Sequence, residues 1–240
     1  MVCVSQKRIH HLRHILMESG IHKINGEAAC KQILGKSRQT GRSNRTKTWT
    51  LTKDDFDSAM RGVITSSAMS VETQRTLSDI LSGIFKAFDH DRNGTVNALE
   101  VACGFTVLCQ GKKSDKLEFA FEVLDKEKKG TLSRADTSRY LRSFLTVLLN
   151  LASSVALDSD PTEDVMTTLN GSRCDYSESS LVRAVEAGSS WAAAQAFKTR
   201  RPSEDVISFD EFAEWYTHVG YSNIPWLELL DLHKWVVMDT

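Results

Sequence analysis

Apolar residues at Leu77, Ile80, Leu81, Ile84, Phe85 and Phe88 recur at helical spacing and predict an amphipathic helix. Polar residues then dominate from Asp89 to Asn97, after which Leu99, Cys103, Val107 and Leu108 resume an apolar face. Helix, polar loop, helix is therefore the predicted order across 77–108. A second such order follows: an entering helix over Lys116–Leu124, a polar stretch from Asp125, and an apolar run from Phe144 to Ala152 that reads as a buried helix. Ile9, Leu12, Ile15 and Leu16 form a further stripe near the start of the chain. Trp226, Leu229, Leu230 and Val237 form another near its end, where Pro225 suits a first helical turn. The pattern predicts an all-α protein.

The polar segment Asp89-His-Asp-Arg-Asn-Gly-Thr-Val-Asn-Ala-Leu-Glu100 carries chemistry. Calcium is a hard cation that takes roughly 6–8 oxygen ligands at about 2.3–2.6 Å in flexible geometry. Asp89, Asp91 and Asn93 place short oxygen side chains at positions one, three and five. Gly94 supplies the bend, Thr95 offers its backbone carbonyl, Asn97 occupies the site of a ligand or bridging water, and Glu100 is long enough to bind through both oxygens. The metal ligands expected here are Asp89, Asp91, Asn93, Thr95 and Glu100. On these residues the chain resembles the calmodulin superfamily of EF-hand calcium-binding proteins, with a layout like neuronal calcium sensors and calcineurin B. The resemblance implies paired helix–loop–helix hands joined by short β-bridges at loop position eight, with Ca2+ as the bound ion.

The family pattern implies a partner hand for the Asp89 loop, and the nearest candidate begins 36 residues on, at Asp125. Gly130 and Leu132 stand at its positions six and eight. Lys129 at five brings a cation to a ligand site, and Asp136 at twelve is one methylene shorter than Glu, so this hand is read as a structural partner for the Asp89 hand, a weak second Ca2+ site over Asp125–Asp136 being the alternative. A third resemblance covers 206–215, with Ile207 at eight and Glu211 at twelve. Counting back places Arg200, Pro202, Glu204 and Asp205 in its first half, which suits no metal; its entering helix is expected over Ser190–Lys198. The faintest hand has Leu51 at eight and Asp55 at twelve, with Asn44, Thr46 and Thr48 at one, three and five and Trp49 at the bend. The same residues also read as a plain helix start capped by Thr52, with Asp55 in a capping box. Position-eight residues are then Leu51, Val96, Leu132 and Ile207.

Composition refines the layout. The net charge is −1, yet residues 1–48 carry +8 and the remainder −9. This reading divides the chain into a basic N-terminal arm or helix (1–48), a hand region (49–157, with the intact hand at 77–108 and the degenerate one at 116–150), an acidic and polar linker (158–180) and a C-terminal hand with an amphipathic tail (181–240). Residues 35–48 read as a flexible basic loop. Gly35-Lys36-Ser37 lacks the upstream glycine of a phosphate loop. The stripe at Ile9–Leu16 suits either an acidic partner surface or packing against the protein itself, and histidines 10, 11 and 14 read as solvated. Five scattered cysteines, with no secretory pattern at the given start, predict reduced thiols and a cytoplasmic setting. Val2 stands where N-myristoylation needs glycine. No run is long enough to span a membrane.

Two functions fit. One is a calcium sensor or regulatory subunit that exposes apolar surface on binding Ca2+ and engages a protein target through an apolar groove, the tail helix serving as an internal occupant of that groove or as an ordinary core helix. The other is a structural adaptor in a cytoskeletal or ciliary (axonemal) assembly, with calcium in a minor role. No nucleophile–base motif or nucleotide loop points to an enzyme, and only the basic arm speaks for nucleic acid, which is not expected as a partner.

Overall fold

The computed structural model describes residues 6–40, 48–64, 69–157, 177–198 and 205–231. The fold is all-α with short antiparallel bridges. After α1 (Gln6–Glu18), four helix–loop–helix units follow among the described residues. They are α2 (Gly26–Lys36) with α3 (Lys53–Val63), α4 (Val71–Phe88) with α5 (Ala98–Phe105), α6 (Lys113–Leu124) with α7 (Arg134–Leu157), and α8 (Glu178–Ala196) with α9 (Phe209–Trp215). Asn25, Thr52, Ser70, Asn97 and Ser208 each cap a helix start by accepting a backbone N–H.

The bridges fix which units pair. β2 (Thr48–Thr52) runs antiparallel to β3 (Thr95–Asn97) with Leu51 opposite Val96, and β1 (Arg38–Thr40) adds on the outer edge of β2. β4 (Thr131–Ser133) pairs with β5 (Val206–Ser208), Leu132 opposite Ile207. All four position-eight residues are buried. This corrects one expectation: the Asp89 unit pairs with the faint Leu51 unit, and the Asp125 unit pairs with the C-terminal one across a gap of 75 residues. Chain length between partners is a weak obstacle, because loop-closure entropy grows only logarithmically. Instead of a bridge, the second and third units share packed helices, α5 lying against both α6 and α7.

α5 approaches α7 closely enough to need a residue without a side chain. A Cβ on Gly104 would stand 2.5 Å from the Ser143 carbonyl oxygen. One buried cluster runs from Leu12 on α1 to Leu230, so both pairs of units share a core.

Residues 6–36, read as a basic arm, form two helices whose apolar faces enter that core through Leu12, Ile15, Leu16, Ala29, Cys30 and Ile33. α1 packs on α4 and α7. Glu18 at its end accepts the Ser70 N–H at 2.6 Å and the Thr73 hydroxyl, which joins α1 to the start of α4. Residues 38–40 and 48, expected in a flexible loop, are strand; 41–47 lie outside the described residues.

α8 begins at Glu178, well before the expected Ser190, and takes in the end of the expected linker, whose residues 158–176 lie outside the described set. Its buried face is Val185, Ser189, Ala192, Ala193 and Ala196, small side chains that let it lie close along α7. Such a face gives a weak apolar pattern, which is why its length is hard to read from sequence.

The tail also differs from its expected face. Pro225–Leu230 is a 3₁₀ helix, and its buried residues are Ile224, Leu227 and Leu230, all fully enclosed. Three residues per turn stack i and i+3 on one side. Leu229 therefore faces outwards and Trp226 is half-buried, while Val237 lies outside the described residues. The segment packs on α6, α7 and the turn at Thr106–Leu108. No helix among the described residues is long and apolar enough to cross a membrane.

Candidate metal centre

The Asp89 loop starts where α4 ends. Asp89 accepts the Asn93 N–H through Oδ1 at 3.1 Å and the Gly94 N–H through Oδ2 at 3.0 Å, curling the backbone around its carboxylate. Arg92 (φ 54°) and Gly94 (φ 77°) take left-handed conformations to complete the curl, a geometry that glycine adopts without steric cost. Asn93 Oδ1 accepts from Thr95 N at 2.8 Å and Thr95 Oγ1 at 2.5 Å, and Asn93 Nδ2 donates to Asp91 Oδ2 at 2.7 Å. Asp89, Asp91, Asn93 and Thr95 thus occupy one small loop of hard oxygen donors. Asn97 caps α5 by accepting from Leu99 N and Glu100 N.

Glu100 is placed differently. It stands in the first turn of α5, 4% exposed, with its carboxylate turned to α7. Arg139 Nε donates to Oε1 at 2.9 Å, Arg139 Nη2 lies in ion-pair contact with the same oxygen at 2.9 Å, and Arg142 Nη2 donates to Oε2 at 2.5 Å. Among the described residues no three His, Cys, Asp or Glu side chains converge as a preformed metal cluster. With Glu100 held by two guanidinium groups, the loop itself presents two carboxylates, so a fit to calcium requires Glu100 to turn. Arg142 also donates to Glu186 Oε1 on α8 at 3.1 Å. Burial works against its charge, but Glu100 and Glu186 outweigh this and raise its pKa. Arg92 reaches Glu178 on α8 at 3.1 Å. Sequence reasoning missed Arg139, Arg142 and Glu186; the available signal was two arginines three residues apart, one helical turn, directly before the apolar run of α7.

The Asp125 loop repeats the curl. Asp125 accepts from Lys129 N at 3.1 Å and Gly130 N at 2.6 Å. Its other acids are engaged elsewhere: Lys129 pairs with Glu127, and Asp136 accepts from Ser133 Oγ at 2.7 Å and Arg139 Nη1 at 3.4 Å. In the first unit Trp49 is a strand residue opposite Gln39, not a bend. There Asp55 accepts the Thr52 hydroxyl at 2.7 Å and faces Arg38 at 3.4 Å, while Asn44 and Thr46 lie outside the described residues. In the fourth unit Glu211 closes a capping box with Ser208, and 199–204 lie outside the described residues. Every position-twelve acid is thus bound to protein groups.

No family model matches the chain. A calcium-binding protein of Dictyostelium discoideum, NCSA, is 28% identical over 112 residues, covering 47% of this chain and 55% of that protein. The human ubiquitin carboxyl-terminal hydrolase 32 is 32% identical over 79 residues, 33% of this chain and 5% of the hydrolase. The calcium and calcium/calmodulin-dependent kinase DMI-3 of Medicago truncatula is 37% identical over 62 residues, 26% of this chain and 12% of the kinase. The chain spans about half the length of the Dictyostelium protein and small fractions of the other two. These likenesses support calcium binding in general and liken the chain to calcium-binding proteins of the EF-hand type.

Proposed function

We propose that this protein is a calcium sensor or regulatory subunit that takes one Ca2+ in the Asp89–Glu100 loop. The observation that carries the reading is the Asp89 curl, which gathers Asp89, Asp91, Asn93 and Thr95 as hard oxygen donors next to a helix whose first turn bears Glu100. A bound ion would supply charge that draws Glu100 towards the loop, and α5 carries that movement into α6 and α7, against which it packs. Apolar surface now covered by α1 and by the 224–230 segment is then open to a protein target. The test titrates calcium while following tryptophan fluorescence and apolar-dye binding, in the wild type and in Glu100→Gln. One ion per chain and calcium-dependent dye binding, both lost in the variant, are expected. Dye binding and target binding that ignore calcium would sink it.

The adaptor reading has its own support: each position-twelve acid already has protein partners, and Ile224, Leu227 and Leu230 are already buried where their segment packs on α6 and α7. A protein that holds this state at saturating calcium is a scaffold.

A further inference from the structure

The arginines facing Glu100 come from a different helix–loop–helix pair. Glu100 belongs to α5, in the pair bridged by Leu51 and Val96; Arg139 and Arg142 belong to α7, in the pair bridged by Leu132 and Ile207. Two donated N–H groups, with a third guanidinium nitrogen in ion-pair contact, meet the two oxygens of a carboxylate that is almost fully buried. Charge-assisted bonds of this kind are the strong ones, and burial removes the water that would compete with them.

The guanidinium groups are not committed to Glu100 alone. Arg139 also reaches Asp136 at 3.4 Å, and Arg142 reaches Glu186 at 3.1 Å. Each therefore keeps an acidic partner if Glu100 leaves. Arg142 Nε is buried without an acceptor, so the arrangement is not fully satisfied as it stands.

We propose that Arg139 and Arg142 are a latch on the Asp89 site: they hold Glu100 away from the loop, and calcium completes its ligand set only by taking Glu100 from them. This rests on the reading that the Asp89 loop binds calcium. The affinity of the second unit is then set by a helix of the third. Release of Glu100 leaves Arg139 with Asp136 and Arg142 with Glu186, tightening α7 on its own loop and on α8. An ion that binds without Glu100 would have four of the five expected ligands and no bidentate one, so the latch also discriminates against weakly held cations.

The test uses the full chain and calcium itself. Calorimetric titration compares the wild type, Arg142→Lys and the double variant Arg139→Gln/Arg142→Gln, with circular dichroism to verify the fold. Tighter binding by about ten-fold or more in the double variant, and an intermediate gain in Arg142→Lys, are expected. Equal or weaker binding overturns the latch. A second readout needs no variant. The Gly94 amide, which donates to Asp89, reports by NMR whether an ion enters the loop, and the Arg139 Nε–H reports whether Glu100 has left. Both signals should move together on adding calcium. Gly94 moving while Arg139 stays fixed overturns the latch and leaves the calcium site standing. Gly94 unmoved in both the wild type and the double variant removes the site itself, and the latch with it.

Discussion

Lys116 Nζ donates to the carbonyl oxygen of Leu230 at 2.8 Å, and the same amine lies 3.3 Å from the carbonyl oxygen of Val107. The lysine is 4% exposed, and burial pushes its pKa down to about 8. It fastens the C-terminal segment to α6 from inside the core. A neutral amine still has two N–H groups for those two carbonyls, so losing the proton does not cost the contact.

The pH dependence follows in sign. The folded pKa lies below the unfolded value of 10.5, so between about pH 8 and 10.5 the unfolded chain binds more protons and stability rises with pH. Cys30, Cys103 and Cys109 act the other way. Burial pushes their thiols up, that of Cys109 to about 12, so above the ordinary thiol value of 9.0 the unfolded chain ionises first and stability falls. The lysine is therefore legible between about pH 7 and 9, where it should add on the order of 1 kcal/mol. Urea unfolding across that range should show the rise in the wild type and a flatter profile in Lys116→Met. Parallel profiles would mean that Lys116 is charged throughout.

The tail tests its own register. Leu227 has no exposed surface and Leu229 is 44% exposed, though they stand two residues apart. Leu227→Ala should cost about 2–5 kcal/mol, either globally or as freer exchange of the amides of 224–231, whereas Leu229→Ala should stay within about 0.5 kcal/mol. Hydrogen exchange distinguishes local release from global loss. A larger effect at Leu229 than at Leu227 would favour the 3.6-residue face expected from the sequence over the three-residue one.

What the sequence made legible was local. Leu51, Val96, Leu132 and Ile207 can be read as bridge residues because loop spacing fixes position eight, and each is found opposite another of the four. Which unit pairs with which is not local, and nearness along the chain pointed to the wrong partner. The α4 stripe and the Asp89 curl follow from periodicity and from glycine at Gly94. The contact of Glu100 with Arg139 and Arg142 depends on how α5 lies across α7, which no pattern within either helix encodes. The tail misled because helical spacing assumes 3.6 residues per turn where the chain adopts three.

Gly104 tests that crossing of α5 and α7. A methyl group there meets a backbone oxygen of Ser143 at 2.5 Å, with Phe88 and Val147 side-chain atoms at 2.9 and 3.0 Å. Backbone cannot rotate aside as a side-chain tip can, so the helices must separate. Gly104→Ala should therefore destabilise by about 1–3 kcal/mol, or more, despite the better helix propensity of alanine. Because the same crossing holds Glu100 against Arg139 and Arg142, the variant should also alter calcium affinity. A thermal midpoint unchanged or raised would show that the two helices have room to spare.

Glu211 tests what the fourth unit does. Its sequence position is that of the bidentate ligand, yet its side chain accepts the Ser208 N–H at 2.7 Å while Ser208 Oγ accepts the Glu211 N–H at 3.3 Å. The reciprocal bonds start α9 directly after β5, and they hold Ile207 in register with Leu132. Glu211→Ala removes one half of the box and should cost about 0.5–2 kcal/mol in stability. Calcium stoichiometry should remain at one, because Glu211 is occupied as a cap and the first half of its loop contains Arg200 and Pro202 at positions where oxygen ligands are needed. Calorimetry and a melting curve on the same variant separate the two roles. Loss of an ion with little change in melting would make Glu211 a ligand; a lower melting point at constant stoichiometry makes it the structural closure of the second pair.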